Sequence, residues 1–438
     1  MTEETRGIGA WLRTHLPDGA VIIIVSMIAG AIAGLCAFGL HKGIALLGGL
    51  LSSPLRLDGG NWLFLVYAVV AFLGAVIFQK SIKQNLADST VQIKIRLSER
   101  RYRFPLSYIF TPLLGCLITI GFGASAGAEG PCAFSGAVIG DRVSRLFRLS
   151  PAATRLIFVC GAAAGIAGIF KSPVGGLFFA VEVLRIELTV LGFVAVAFAC
   201  LSAFGVAYVL SGYTWNLTIT TDMPFIPDNF GWMALLGLVG GIYSIYYSYT
   251  YSLGSRFMQS LKNIWIRSLI CGLGMGVIIF MFPAMFGEGY DIVSNILNGI
   301  YFKLVGYGPF NSDLTNFPVI LIIVLCMLLV KGLVVGSTAS GGGIVGEFVP
   351  TVFAGALMGF LFASIANYSG LNLEVANFTL LGTAAVMAGA IKAPLMSIFI
   401  AAEVSAHYDF ILGFMLCAGV SFAVVKIFDI YVARRNAK

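Results

Sequence analysis

Charge is what this chain has least of. Only 11% of its 438 residues are Asp, Glu, Lys or Arg, against roughly 25% in a soluble globular domain. Such a chain cannot clothe its surface in hydrated groups, which excludes a water-soluble enzyme or binding module. Histidine is scarce as well: His15, His41 and His407 stand far apart and form no metal-ligand cluster. The eight cysteines lie singly in apolar segments with no CxxC spacing, so they read as small core residues rather than disulfides or ligands. No cofactor or metal site is implied. Intramembrane catalysis has no visible apparatus either: there is no HExxH, no GxGD pair and no serine with an accompanying histidine. Nor do Asp, Arg or His cluster as a membrane transferase would need, so an enzyme is not expected. No cleavable leader is expected, because the first apolar run is too long for a signal core.

What fills the space is apolar sequence: 59% hydrophobic residues and a mean hydropathy of +0.95. Runs at 21–51, 62–78, 191–210, 233–249, 319–335 and 410–425 are of the order of the ~20 residues a helix needs to cross the hydrocarbon. The chain therefore reads as an all-α polytopic membrane protein. Its 53 glycines agree, since small residues let membrane helices approach closely. Other apolar stretches, at 124–141, 161–182, 350–365 and 382–403, are short or interrupted by Gly and Pro. Broken helices at membrane depth survive only when buried in protein or lining a watery cavity, which favours a transporter interior.

The net charge of +7 is not a nucleic-acid signal. The basic residues crowd beside apolar segments: Lys80 to Arg103 in one connection, Arg142 to Arg155 in another, and Arg434, Arg435 and Lys438 at the end. The positive-inside rule places these on the cytoplasmic side and predicts both termini cytoplasmic, in a multi-pass cell-membrane protein. A basic inner vestibule also draws in anions.

The chain repeats itself. "GAAAGIAGIFKSPVGGLFFAVEV" at 161–183 matches "GTAAVMAGAIKAPLMSIFIAAEV" at 382–404, with Gly161, Gly168, Lys171, Pro173 and Glu182 facing Gly382, Gly389, Lys392, Pro394 and Glu403 at an offset of 221. Upstream, "GAEGP" (127–131) matches "GEFVP" (346–350) at an offset of 219. Two halves with broken helices are a transporter signature, with the substrate site near the midplane. The expected organisation is a short segment at 1–19, repeat halves at 20–212 and 213–432, and a tail at 433–438. Glycine-rich lead-ins opening helices also indicate the substrate's sign, because helix N-termini offer N–H groups and the positive end of the dipole to an anion. Glu129 is then the puzzle: a carboxylate set among small residues, costly in a bilayer and hence expected at a transport path.

"GAEGP", "GEFVP" and "KSPVGGLFFAVEV" together resemble the CLC family of chloride channels and proton-coupled chloride antiporters, in order and spacing, across nearly the whole chain. The resemblance implies two inverted halves, a homodimer with one pore per subunit, and chloride or a related anion as substrate, with protons as possible co-substrate. It makes Glu129 the gate, an anion mimic that competes with chloride until protonated. It also implies that amides of Ala128, Glu129 and Gly130, and of Glu347, Phe348 and Val349, line the outer site.

Four departures qualify these expectations. Ala128 replaces a basic residue usual in the family, and Glu347 brings a second carboxylate whose side chain is expected to point away from the pore. The inner serine motif is poorly kept in "LADSTVQIKIRL" (86–97): Asp88 or Ser89 takes the serine position, with Ser89 preferred because a hydroxyl donates to an anion whereas a carboxylate opposes it. This leaves chloride, fluoride and nitrate open. Val183 stands where proton-coupled members carry an inner glutamate, so the expectation leans to channel-like or weakly coupled flow over strict exchange. In "KIFDIYVARR" either Phe428 or Tyr431 takes the pore-tyrosine position, and only Tyr431 has a hydroxyl. A non-CLC transporter with inverted repeats is the runner-up reading.

Overall fold

Every long apolar run folds as a helix in the computed structural model, which describes residues 15–52, 61–84, 86, 89–99, 104–186, 189–221, 223–305, 308–309 and 316–436. Among the described residues the first helices are α1 (Asp18–Ser52), α2 (Leu63–Ser81), α3 (Ser89–Glu99) and α4 (Ser107–Gly121). It continues with α5 (Glu129–Leu146), α6 (Pro151–Phe170), the short α7 (Pro173–Phe178) and α8 (Val190–Leu210). Then come α9 (Phe230–Ser260), α10 (Ile264–Met281), α11 (Tyr290–Leu297) and α12 (Phe317–Ser340). The last four are α13 (Phe348–Tyr368), α14 (Val375–Ile391), α15 (Pro394–Ser405) and α16 (Ile411–Asn436). Among the described residues nine helices are long and apolar enough to cross a membrane, while α4, α7, α14 and α15 are shorter apolar pieces.

The helix boundaries follow local chemistry. Ser150 caps α6 by accepting from the Ala153 amide at 3.3 Å, with Pro151 at the first helical position. Thr189 caps α8 by accepting from the Gly192 amide at 3.1 Å. Such caps satisfy N–H groups that have no intrahelical acceptor.

The described residues fall into two compact units. One is drawn from Met1–Lys42, Asp88–Leu114 and Ala128–Trp215, the other from Gly43–Ala87, Gly115–Gly127 and Asn216–Lys438. In the first, α5 packs on α6 so closely that a Cβ on Gly136 would stand 2.9 Å from the Gly161 carbonyl carbon. In the second, α13 packs on α14 through the repeat-equivalent pair, and a Cβ on Gly355 would stand 2.8 Å from the Gly382 carbonyl carbon. Backbone-to-backbone approach of this kind is how membrane helices gain dispersion energy without a hydrophobic drive.

The repeat is legible in the backbone as well. Lys171 ends α6 at φ 54, ψ 41, and Lys392 ends α14 at φ 61, ψ 37, both left-handed. Ser172 (φ −129, ψ 87) and Ala393 (φ −132, ψ 77) follow in extended geometry, and Pro173 and Pro394 open the next helices. The residue before proline is pushed out of the helical region, so the same break recurs wherever Pro recurs. Beyond it the halves part. The first passes into a π-helix at Phe179–Val183, while the second stays α-helical to Ser405.

Candidate functional site

Glu129 is the first residue of α5 and is 1% exposed. The position before it, Ala128 (φ −94, ψ −2), has no side chain able to cap the helix. A carboxylate in the first turn is favoured by the helix dipole, typically by about 0.3–1 kcal/mol and up to ~2 in partly buried geometry. The helix itself is anchored along its length. Ser135 donates to the Ile109 carbonyl at 2.6 Å, Arg142 donates to the Phe104 carbonyl, and buried Asp141 pairs with Arg145 at 2.8 Å. Pro131 costs nothing here, because a first-turn N–H has no intrahelical partner to lose.

In the second unit the two glycine-rich lead-ins meet. Gly127 and Gly346 exchange both backbone hydrogen bonds, at 3.2 and 2.6 Å, as an antiparallel bridge. They are equivalent positions of the repeat, so the bridge has local two-fold character. It satisfies the amides just before each helix start, in a region with no regular sheet to do so. Glu347 caps nothing with its side chain; its carboxylate accepts from the Tyr251 hydroxyl of α9. Phe348 and Val349, the next two residues, are 6% and 2% exposed.

Ser89 begins α3, while Asp88 lies outside the described residues. Gly130 is buried beside Glu129. Val183 closes the π-helix and is buried, with Glu182 half-buried before it. Phe428 and Tyr431 both project from the final part of α16 and are 42% and 62% exposed.

One group escaped the sequence reading. Lys331, in the middle of α12, is 1% exposed. Its ammonium donates to the Ser125 hydroxyl at 2.8 Å and stands 4.2 Å over the Phe353 ring. No carboxylate among the described residues forms an ion pair with it. Ser125 belongs to the first lead-in and Phe353 to α13, so one buried lysine side chain braces both. Its signal was present as the one lysine interrupting the run at 319–335, but a single charge in an apolar run is as easily read as a helix end.

Each of the helix starts at Glu129 and Phe348 presents first-turn N–H groups that have no intrahelical acceptor. Among the described residues no cluster of His, Cys, Asp and Glu suited to a metal ion occurs.

Comparison with known proteins points to one family. The sequence model of the family described as voltage gated chloride channel matches residues 70–426. The H(+)/Cl(-) exchange transporter ClcA of Vibrio cholerae is 26% identical over 408 residues, covering 89% of this chain and 83% of ClcA. Among solved structures, a slow cyanobacterial Cl-/H+ antiporter superposes with a TM-score of 0.77 at 20% identity, covering 97% of this chain and 99% of the other. A CLC-type fluoride/proton antiporter gives 0.73 at 21% identity, covering 93% and 95%. A eukaryotic CLC transporter gives 0.73 at 18% identity, covering 96% and 73%. The match over most of the length, on a helical membrane fold with its repeat and lead-ins in place, makes this chain a member of the voltage gated chloride channel (CLC) family, an anion-transport protein rather than an enzyme.

Proposed function

We propose that the chain carries chloride or a related small anion across the cell membrane with Glu129 as the gate, and that it exchanges the anion for protons. The buried carboxylate at the start of α5 carries this reading. Ionised, it occupies ground that suits an anion and repels one; protonated, it loses both properties. Two unit charges 4 Å apart repel by about 4 kcal/mol at an effective dielectric of 20, enough to exclude joint occupancy. Ala128, Glu129 and Gly130 would offer amides at the start of α5, and Glu347, Phe348 and Val349 at the start of α13. The bond from Tyr251 keeps the Glu347 carboxylate engaged with α9, which supports a purely backbone role for that segment. Ser89 at the start of α3 and Tyr431 on α16 are proposed hydroxyl donors to the inner anion.

Exchange is favoured by relatives whose names record it, ClcA and the chloride and fluoride antiporters. One observation favours a second reading, passive or weakly coupled flow: Val183 cannot hold a proton at the inner relay position. Reversal potentials in proteoliposomes under opposed chloride and proton gradients separate the two. A shift with the proton gradient at fixed stoichiometry supports exchange; a value tracking chloride alone supports passive flow. Replacing Glu129 by Gln should abolish most of the pH dependence of flux, and unchanged pH dependence would remove the gate. Parallel uptake of chloride, fluoride and nitrate ranks selectivity. We further propose a homodimer with both termini cytoplasmic, checked by mass photometry and by terminal-tag accessibility.

A further inference from the structure

The first unit contains a second positively charged feature, away from the start of α5. A cavity of about 930 Å³ is walled by α3, the starts of α6 and α8, and the segment that leaves the π-helix. Lys94, Arg155 and Arg185 line it, and no carboxylate does so among the described residues. Arg155 and Arg185 are exposed and take part in no ion pair among those residues. The chain turns out of the π-helix through Arg185 in left-handed geometry, φ 55.

Ser150 and Thr189 also line the cavity. Each hydroxyl oxygen already accepts a backbone N–H as a helix cap, at 3.3 and 3.1 Å, so its own hydrogen remains to donate elsewhere. The positive ends of two helices of 20 and 21 residues therefore open beside three cations. The rest of the lining is apolar, including Leu97, Leu156 and Val159. Topology alone accounts for basic residues at a membrane edge, but it does not gather three of them around one largely apolar recess. Basic pockets between membrane helices bind phosphate-bearing head groups.

We propose that this cavity is a binding site for a phosphate-bearing anion, held by Lys94, Arg155 and Arg185 with the Ser150 and Thr189 hydroxyls. A phospholipid with a phosphomonoester head and a soluble polyphosphate share that chemistry. The lining includes Leu184, next in sequence to Val183, so the occupant brings negative charge beside the inner relay position. The site stands independently of whether transport is coupled.

The test is native mass spectrometry of the detergent-purified full chain with phosphatidic acid, phosphatidylcholine or tripolyphosphate. Phosphatidic acid or tripolyphosphate should be retained and phosphatidylcholine lost; which of the first two is held more tightly identifies the source. Replacing Arg155 and Arg185 together by Gln should weaken retention about ten-fold, equivalent to ~1.4 kcal/mol. Ala152→Trp, at an exposed lining position, should block binding with no change of charge. Replacing Arg434 and Arg435 by Gln removes two charges elsewhere and should leave retention unchanged. Equal retention by the Arg155/Arg185 variant, full retention by Ala152→Trp, an equal loss in the Arg434/Arg435 variant, or equal binding of phosphatidylcholine would each overturn the site.

Discussion

The segments at 161–183 and 382–404 began as the same design and ended differently. Both run a helix into a left-handed lysine, an extended residue and a proline. Lys171 then donates to the Thr214 carbonyl at 2.6 Å, whereas Lys392 pairs with Asp429 at 2.5 Å in an exposed position. Glu403 is buried and accepts from the Tyr408 hydroxyl at 2.8 Å, while Glu182 lies in a π-helix that its counterpart lacks. The lead-ins diverge likewise: Glu129 is a buried first-turn carboxylate, and Glu347, one residue earlier in register, is tied to Tyr251. Backbone breaks are set by Pro and Gly, which were kept. Side-chain roles are set by neighbours, which were not. A π-helix often marks a functional site, and it falls in the half that carries the proposed gate, Glu129.

The comparison is broken most severely at the helix crossings. Gly136→Leu and Gly355→Leu should each cost about 3 kcal/mol, since backbone rather than a flexible side chain stands where the new atoms go. Thermal unfolding in detergent should show losses of similar size. If one half tolerates the change, the two crossings are not equivalent.

Function should separate what packing does not. Glu347→Gln should keep the pH dependence of anion flux that Glu129→Gln removes, because its carboxylate is engaged by Tyr251. Parallel flux–pH profiles of both variants check this, and loss of pH dependence in the Glu347 variant would place a second acid in the gate.

Val183→Glu puts an acid at the first-half position where the family resemblance expects the inner proton relay. It should raise the proton-to-anion ratio read from reversal potentials, without altering the apparent pH midpoint of flux, which is proposed to be set at Glu129. An unchanged ratio would mean protons take another route.

A smaller effect concerns Lys331 and Ser125. The double-mutant cycle of Lys331→Met with Ser125→Ala should show coupling of about 1 kcal/mol in thermal unfolding, as expected for a buried hydrogen bond. The smallest effect is at Lys392, where Asp429→Asn should change stability by less than ~1 kcal/mol, as exposed ion pairs do. Lys171→Met should cost more, since Lys171 is 4% exposed and its ammonium bonds a backbone carbonyl.

Much of this was open to reading without coordinates. Helical spans follow from apolar length, the breaks from Pro173 and Pro394, and the helix starts at Glu129 and Phe348 from the glycine-rich approaches before them. Lys331 was not readable, because its meaning depends on Ser125, 206 residues away in sequence. The basic cavity was not readable either. Lys94, Arg155 and Arg185 belong to three separate stretches, each explicable as a membrane-edge charge.

By itself, then, the sequence determined the class of the protein, its two-fold repeat and the carboxylate that opens the helix after the first glycine-rich lead-in. Hydrophobic length, ring-restricted backbone and glycine spacing act locally and leave a periodic trace. Tertiary structure alone decided which carboxylates are engaged, that Gly127 and Gly346 pair, where the π-helix falls and which cations share a cavity. Those outcomes depend on distances between residues far apart in the chain, and no local pattern encodes a distance.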